Sequence, residues 1–213
     1  MAPSPWRHLM AEGMPNWFTH ADLLLPLIAE RKPKQCAEIG SWMGSSAIPI
    51  ARLIEEWGGQ LHCVDHWSGQ PYWTDIDNQD VNMRQFLANL ARHGVTNVTQ
   101  WVLSSHEAVE QFPKESLDFI YLDGAHDFSN VISDLILWWD RLTPGGLIAG
   151  DDYGNPNFPG VTKAWASFWK YRDCRLVFHQ NPACESGNGL VYFVKPLRPR
   201  TTNVEAVETG ERL

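Results

Sequence analysis

Short apolar runs alternate with stretches of helical period along most of this chain. The runs at 35–39, 60–65, 98–103, 117–122 and 147–150 are bounded by glycine, proline or charged residues, as buried strands are. Between them, apolar residues spaced three and four apart predict helices over 46–57, 81–93, 104–112, 129–140 and 161–170. A further helix over 20–31 carries Pro26 and is expected to be interrupted there. Ser104 and Glu107 have the spacing of a capping box, and Gly94 is placed to end the helix before it. Pro144, Gly145 and Gly146 predict a turn ahead of the strand at 147–150. Runs at 175–178 and 190–194, joined by a polar loop, finish the chain as a strand pair. Repeated strand–helix units closing on two strands predict an α/β fold. It is a doubly wound, mostly parallel seven-stranded sheet, with helices on both faces and an antiparallel final strand.

Three segments stand outside this rhythm. Residues 1–19 hold Pro3, Pro5, Gly13 and Pro15 and read as an arm rather than a packed element. With the entry helix they form a segment, 1–32, able to serve as a lid or to be exchanged in a homo-oligomer. Residues 66–80 form a long loop with Trp67, Tyr72 and Trp73, and long loops in compact domains tend to carry function. Residues 196–213 are poor in apolar side chains and read as a disordered tail, leaving 33–195 as the folded domain.

Composition narrows the class. A chain of 213 residues with 44% hydrophobic side chains holds one domain with a sizeable core. The net charge of −8 argues against binding nucleic acid or an anionic membrane. The longest apolar run, near 23–29, is far too short to span a bilayer, and the N-terminus has no apolar signal core. Cys36, Cys63, Cys174 and Cys184 show no close pairing and read as free thiols of a cytoplasmic protein.

The chemistry gathers at predicted strand ends. Gly40 and Gly44 flank a turn between a strand and a helix that Ser45 or Ser46 can cap. Such a turn is a nucleotide-cofactor site in many α/β sheets and a plain connection in many others. The spacing matches neither the dinucleotide nor the P-loop glycine pattern. Glu38, just before the turn, would repel a pyrophosphate and suits a cofactor with a positive group. Asp65, Asp123, Asp151 and Asp152 also fall at or just past strand ends. Five carboxylates at one rim repel one another unless cations or hydroxyl donors compensate them.

Taken together, Glu38-Ile39-Gly40-Ser41-Trp42-Met43-Gly44, Asp65, Asp123 and Pro144-Gly145-Gly146 resemble the class I S-adenosylmethionine-dependent methyltransferases over roughly 33–195. Tyr121-Leu122-Asp123-Gly124-Ala125-His126 and Gly150-Asp151-Asp152-Tyr153-Gly154 look like the metal-dependent sugar O-methyltransferases of antibiotic pathways. The resemblance implies a Rossmann-like fold, S-adenosylmethionine as cofactor, and a small-molecule hydroxyl acceptor. By it, Gly40, Ser41, Gly44 and Ser45 line the methionine part, with Glu38 near its amino group. Asp65 accepts from the ribose hydroxyls, His66 and Trp67 flank the adenosine, and Ser104, Ser105 and His106 hold the adenine. For Ser104 a purely capping role stands beside this one.

Asp123, Asp151 and Asp152 would form a hard-oxygen site suited to Mg²⁺, which lowers the pKa of an acceptor hydroxyl. His126 is the candidate general base, with Asp123 beside it. The sugar enzymes carry a carboxylate where this chain has Ala125, so the base has moved or a metal-bound hydroxide serves. Tyr153, Trp67, Trp73 and Trp165 are candidate walls of the acceptor pocket. Other readings stay open: a metal-independent N- or carboxyl-methyltransferase, an NAD-dependent oxidoreductase or epimerase, and a non-catalytic module retaining the fold.

Overall fold

The computed structural model describes residues 4–14, 17–68, 79–170, 172, 175–180 and 189–197. The loop with Tyr72 and Trp73, Cys174 and Cys184, and the tail beyond Leu197 lie outside the described residues. The strands are β1 (Gln35–Ile39), β2 (Gln60–Asp65), β3 (Val98–Val102), β4 (Leu117–Leu122), β5 (Leu142–Tyr153), β6 (Val177–Gln180) and β7 (Gly189–Val194). The helices are α1 (Ala21–Arg31), α2 (Ala47–Glu55), α3 (Gln79–Arg92), α4 (Ser105–Val109), α5 (Phe128–Trp139) and α6 (Pro159–Trp169). The strands form one sheet in the order β3-β2-β1-β4-β5-β7-β6, parallel except for β7. This is the expected doubly wound sheet with an antiparallel final strand. Each face is sealed by an apolar layer. One packs α1 and α2 on the sheet, and the other packs α5 and α6.

The chain order reverses between β1 and β4, where open α/β sheets leave a crevice beyond the carboxyl ends of the strands. Here the two strand ends come very close. The Asp123 amide donates to Ile39 O at 2.8 Å, and the Gly40 amide donates to Val64 O at 2.9 Å. Gly40 has φ +92°, and a Cβ on it would stand 2.2 Å from the Asp123 carbonyl oxygen. The glycine is therefore required by the backbone at Asp123 and Gly124, just past β4.

The structure departs from the sequence expectations at three places. Pro144-Gly145-Gly146 is not a free turn, because β5 begins at Leu142 and carries these residues as an irregularity in its pairing with β4. Their backbone groups are taken up by the end of β7: the Gly145 amide donates to Lys195 O and the Lys195 amide to Gly146 O. Helix α1 runs through Pro26 without a break, since Leu24, Leu25 and Ile28 are wholly buried and their packing outweighs one missing hydrogen bond. The segment before α1 is packed rather than a free arm. It forms a short 3₁₀ turn (Arg7–Leu9), and Leu9 and Phe18 enter the core. Among the described residues no helix is long and apolar enough to cross a membrane.

Gly40→Ala is expected to cost on the order of 3 kcal/mol or more, because strain at positive φ adds to a backbone clash. Gly58 has φ +75° but open space around it. Gly58→Ala is expected to cost only about 1–2 kcal/mol. Urea unfolding of the two variants checks the difference, and equal losses would contradict the close-approach account.

Candidate active site

The turn after β1 is held from β2. Asp65 Oδ2 accepts from the Trp42 amide at 2.8 Å, and Oδ1 accepts from the Trp67 amide at 2.7 Å. Trp42 itself has φ +37°, so this left-handed residue is pinned by a carboxylate and by its carbonyl, which takes the Trp67 indole N–H at 2.7 Å. The Trp67 side chain is buried against Phe86, below the turn rather than in the site. Ser46 takes the N-cap position of α2 but makes no side-chain capping bond. Glu38, wholly buried, has one oxygen without a hydrogen-bond partner among the described residues and the Cys63 thiol 3.9 Å from the other. Burial pushes the Glu38 carboxyl up to about 7. The Ser41 and Ser46 hydroxyls oppose that rise and the charge of Asp65 adds to it.

A cavity of about 880 Å³ opens over the carboxyl ends of β1 to β4. Gly40, Asp65, His66, Ser104, Ser105, His106, His126, Asn157 and Phe158 are on its wall. Glu38, Ser41, Gly44, Ser45 and Trp67 are not on this wall. Ser104 makes the full capping box with Glu107, and Asp127 caps α5 by accepting from the Ser129 and Asn130 amides.

Asp134 on α5 is buried on the same wall and was not visible from sequence. Its Oδ1 accepts from the Ser105 hydroxyl, which in turn accepts from the Trp138 indole N–H at 2.8 Å. No described residue donates to the other oxygen. Desolvation raises the Asp134 carboxyl to about 6, against the Ser105 hydrogen bond.

Beside the cavity, a crevice of water size holds Asp123, Asp151 and Asp152 and shares His126 and Asp134 with it. Ligand atoms of Asp123, His126 and Asp152 all lie within 4.8 Å of one another. His126 Nε2 is 2.9 Å from Asp152 Oδ2, and its ring stacks on Phe158 with centroids 4.1 Å apart. Asp152 has φ +61°; its Oδ1 accepts from Asn155 Nδ2 at 2.9 Å. Desolvation raises the Asp123 carboxyl well above the carboxylate range, and the charges of Asp151, Asp152 and Glu38 add to it.

Asp151 lines the same crevice, but its oxygens meet other groups of the protein. Its Oδ2 accepts from the Tyr121 hydroxyl at 3.1 Å. Its Oδ1 accepts from the Asp152 amide at 2.7 Å and lies 3.0 Å from His20 Nε2. Of the expected Asp123, Asp151 and Asp152, the first and last share this close grouping with His126, and Asp151 is not in it. Trp165 lines the crevice but not the larger cavity; it is buried against Gly150, where a Cβ would stand 2.4 Å from its ring.

A methyltransferase domain family model matches residues 37–153, more than half of the chain. The chain belongs to this methyltransferase family, and its fold is that of the class I S-adenosylmethionine-dependent methyltransferases. The O-methyltransferase TomG from Streptomyces achromogenes, solved with S-adenosylmethionine and involved in tomaymycin synthesis, superposes with TM-score 0.66. It is 17% identical, over 82% of this chain and 78% of that one. The cofactor-bound protein Rv0187 from MTB gives TM-score 0.69 at 15% identity over 88% and 84%. In sequence, the protein y4gI of Sinorhizobium fredii is 20% identical over 184 residues. That match takes in 85% of this chain but spans only 19% of the relative. The oxidoreductase and epimerase alternatives fall with the family assignment.

The Glu38 shift has a measurable sign. Because the folded carboxyl titrates near 7 rather than at its ordinary 4.5, wild type is favoured below pH 4.5 and loses stability as pH rises through 7. Glu38→Gln removes that dependence. Relative to the variant, wild type is expected to lose on the order of 1–3 kcal/mol between pH 4.5 and pH 8. Urea unfolding across that range checks it, and parallel profiles would contradict a buried, titrating Glu38.

Proposed function

We propose that this enzyme transfers the methyl group of S-adenosylmethionine to a hydroxyl oxygen of a small molecule at the rim formed by His126 and Asp152. The observation that carries this reading is the 2.9 Å contact of His126 Nε2 with Asp152 Oδ2 at the edge of the cavity. S-adenosylmethionine supplies a methyl group on a sulfonium, an electrophile that needs an oxygen nucleophile relieved of its proton. An imidazole oriented by a carboxylate and stacked on Phe158 is suited to take that proton. Gly40 and Asp65 border the part of the cavity where the ribose and methionine would lie, and Asp134 offers its free oxygen to the amino group of the adenine. The buried thiols of Cys36 and Cys63 fit a reducing, cytoplasmic setting.

A second reading is favoured by the closeness of Asp123, His126 and Asp152. Two carboxylates and an imidazole would hold a divalent cation. The nitrogen donor suits Mn²⁺ as well as the Mg²⁺ expected from an all-carboxylate set. A bound cation would lower the pKa of the acceptor hydroxyl. In that case Asp123 and Asp152 hold the cation, Asp151 keeps its protein donors, and His126 is a ligand rather than the base.

Calorimetry is expected to show binding of S-adenosylhomocysteine, and no binding would overturn the proposal. With a hydroxylated acceptor found by screening for S-adenosylhomocysteine release, His126→Ala is expected to lower kcat about 100-fold or more. Its affinity for S-adenosylhomocysteine is expected to stay close to wild type. Loss of turnover in chelator, restored by Mn²⁺ or Mg²⁺, selects the cation reading. Full turnover in chelator selects His126 as the base acting without it.

A further inference from the structure

A buried carboxylate is costly unless donors compensate it. Asp134, on α5, is buried and is compensated on one oxygen only. Its Oδ1 accepts from the Ser105 hydroxyl, and no described residue donates to Oδ2. Both Ser105 and Asp134 line the cavity over the strand ends.

The direction of the hydrogen bonds here follows from one group that can only donate, the Trp138 indole N–H. It meets Ser105 Oγ at 2.8 Å, so the hydroxyl oxygen accepts there. Ser105 has a single proton, and it is given to Asp134 Oδ1. Ser105 therefore has nothing left to donate to a ligand. The Trp138 ring that sets this order is wholly buried, and Phe112 packs on it with centroids 5.3 Å apart. A second contact, His106 Nε2 to Ser133 Oγ at 2.8 Å, ties the first turn of α4 to α5 beside it.

The carboxyl of Asp134 titrates near 6, so at pH 8 its Oδ2 is an acceptor alone. An acceptor-only point on a nucleoside cavity reads a hydrogen-bond donor. Adenine offers one at its 6-amino group. A 6-oxo purine puts an acceptor at the same place and sets two acceptors against each other, which leaves a polar group of the site unpaired.

We propose that the Trp138–Ser105–Asp134 chain makes this cavity selective for a 6-amino purine nucleoside over its 6-oxo counterpart. Asp134 is the specificity residue, and Ser105 and Trp138 are positioning residues that act through it. The inference rests on the reading of the cavity as the S-adenosylmethionine site.

Calorimetry of the full chain at pH 8 compares S-adenosylhomocysteine with its deaminated 6-oxo analogue. Wild type is expected to bind the analogue at least about 30-fold more weakly. In Asp134→Asn, Ser105 still donates to the amide oxygen, so Nδ2 takes the place of the free oxygen and a donor replaces an acceptor. The preference is then expected to invert, with the 6-oxo analogue bound more tightly. In Ser105→Ala/Asp134→Asn the amide is free to turn, and the two ligands are expected to bind within about threefold of each other. A merely structural Asp134 would weaken both ligands alike.

If Asp134→Asn does not fold, Asp134→Ala removes the acceptor and is expected to bring the ratio within about threefold. A folded Asp134→Asn or Asp134→Ala that keeps the wild-type ratio overturns the proposal. So does a wild type that binds both ligands equally, and that result leaves the cofactor reading standing. A wild type that binds neither overturns the cofactor reading and this inference with it.

Discussion

The structure depends on how closely the ends of β1 and β4 approach. With no side chain at Gly40, the Asp123 backbone lies against the turn after β1, and the amide–carbonyl bonds from Asp123 to Ile39 and from Gly40 to Val64 tie three strands at one point. That point is also where the strand order reverses, so the crevice of the fold opens above it. Everything with chemistry is placed relative to this junction: Asp65 on one side, Asp123 at its centre, and Asp151 and Asp152 on the next strand.

Crowding acidic groups there has a cost, and the protein meets it differently at each one. Asp65 is satisfied by two backbone amides and doubles as the clamp on Trp42. Asp151 accepts from the Tyr121 hydroxyl and the Asp152 amide. Asp152 faces His126 and Asn155. Glu38 and Asp123 are the two that remain poorly compensated, and both are pushed toward the neutral form by burial and by their acidic neighbours. Perturbed groups of this kind cluster at functional sites.

Much of the fold was legible because strand and helix periods alternate cleanly. The limits of β4 and the capping box of α4 were readable from sequence alone. The elements that misled were those where tertiary contacts overrule local signals: Pro144-Gly145-Gly146 is recruited by the end of β7, and Pro26 is carried by a buried face. Strand-end position leads to Asp65, Asp123 and Asp152, which line the cavity or the crevice beside it. It could not show which way each side chain turns, and the left-handed backbone at Asp152 is what separates it from Asp151. Asp134 and Phe158 carry no local signal at all, since each matters through a neighbour far along the chain, Ser105 and His126.

The central claim is that methyl transfer takes place at the His126–Asp152 edge of the cavity. A crystal structure of the complex with S-adenosylhomocysteine tests it most directly. The account predicts the adenine beside Ser105 and Asp134, the ribose at Asp65, and the sulfur facing His126 and Asp152 across a space open to an acceptor. A ligand whose sulfur points away from that pair, or that lies outside this cavity, would contradict it.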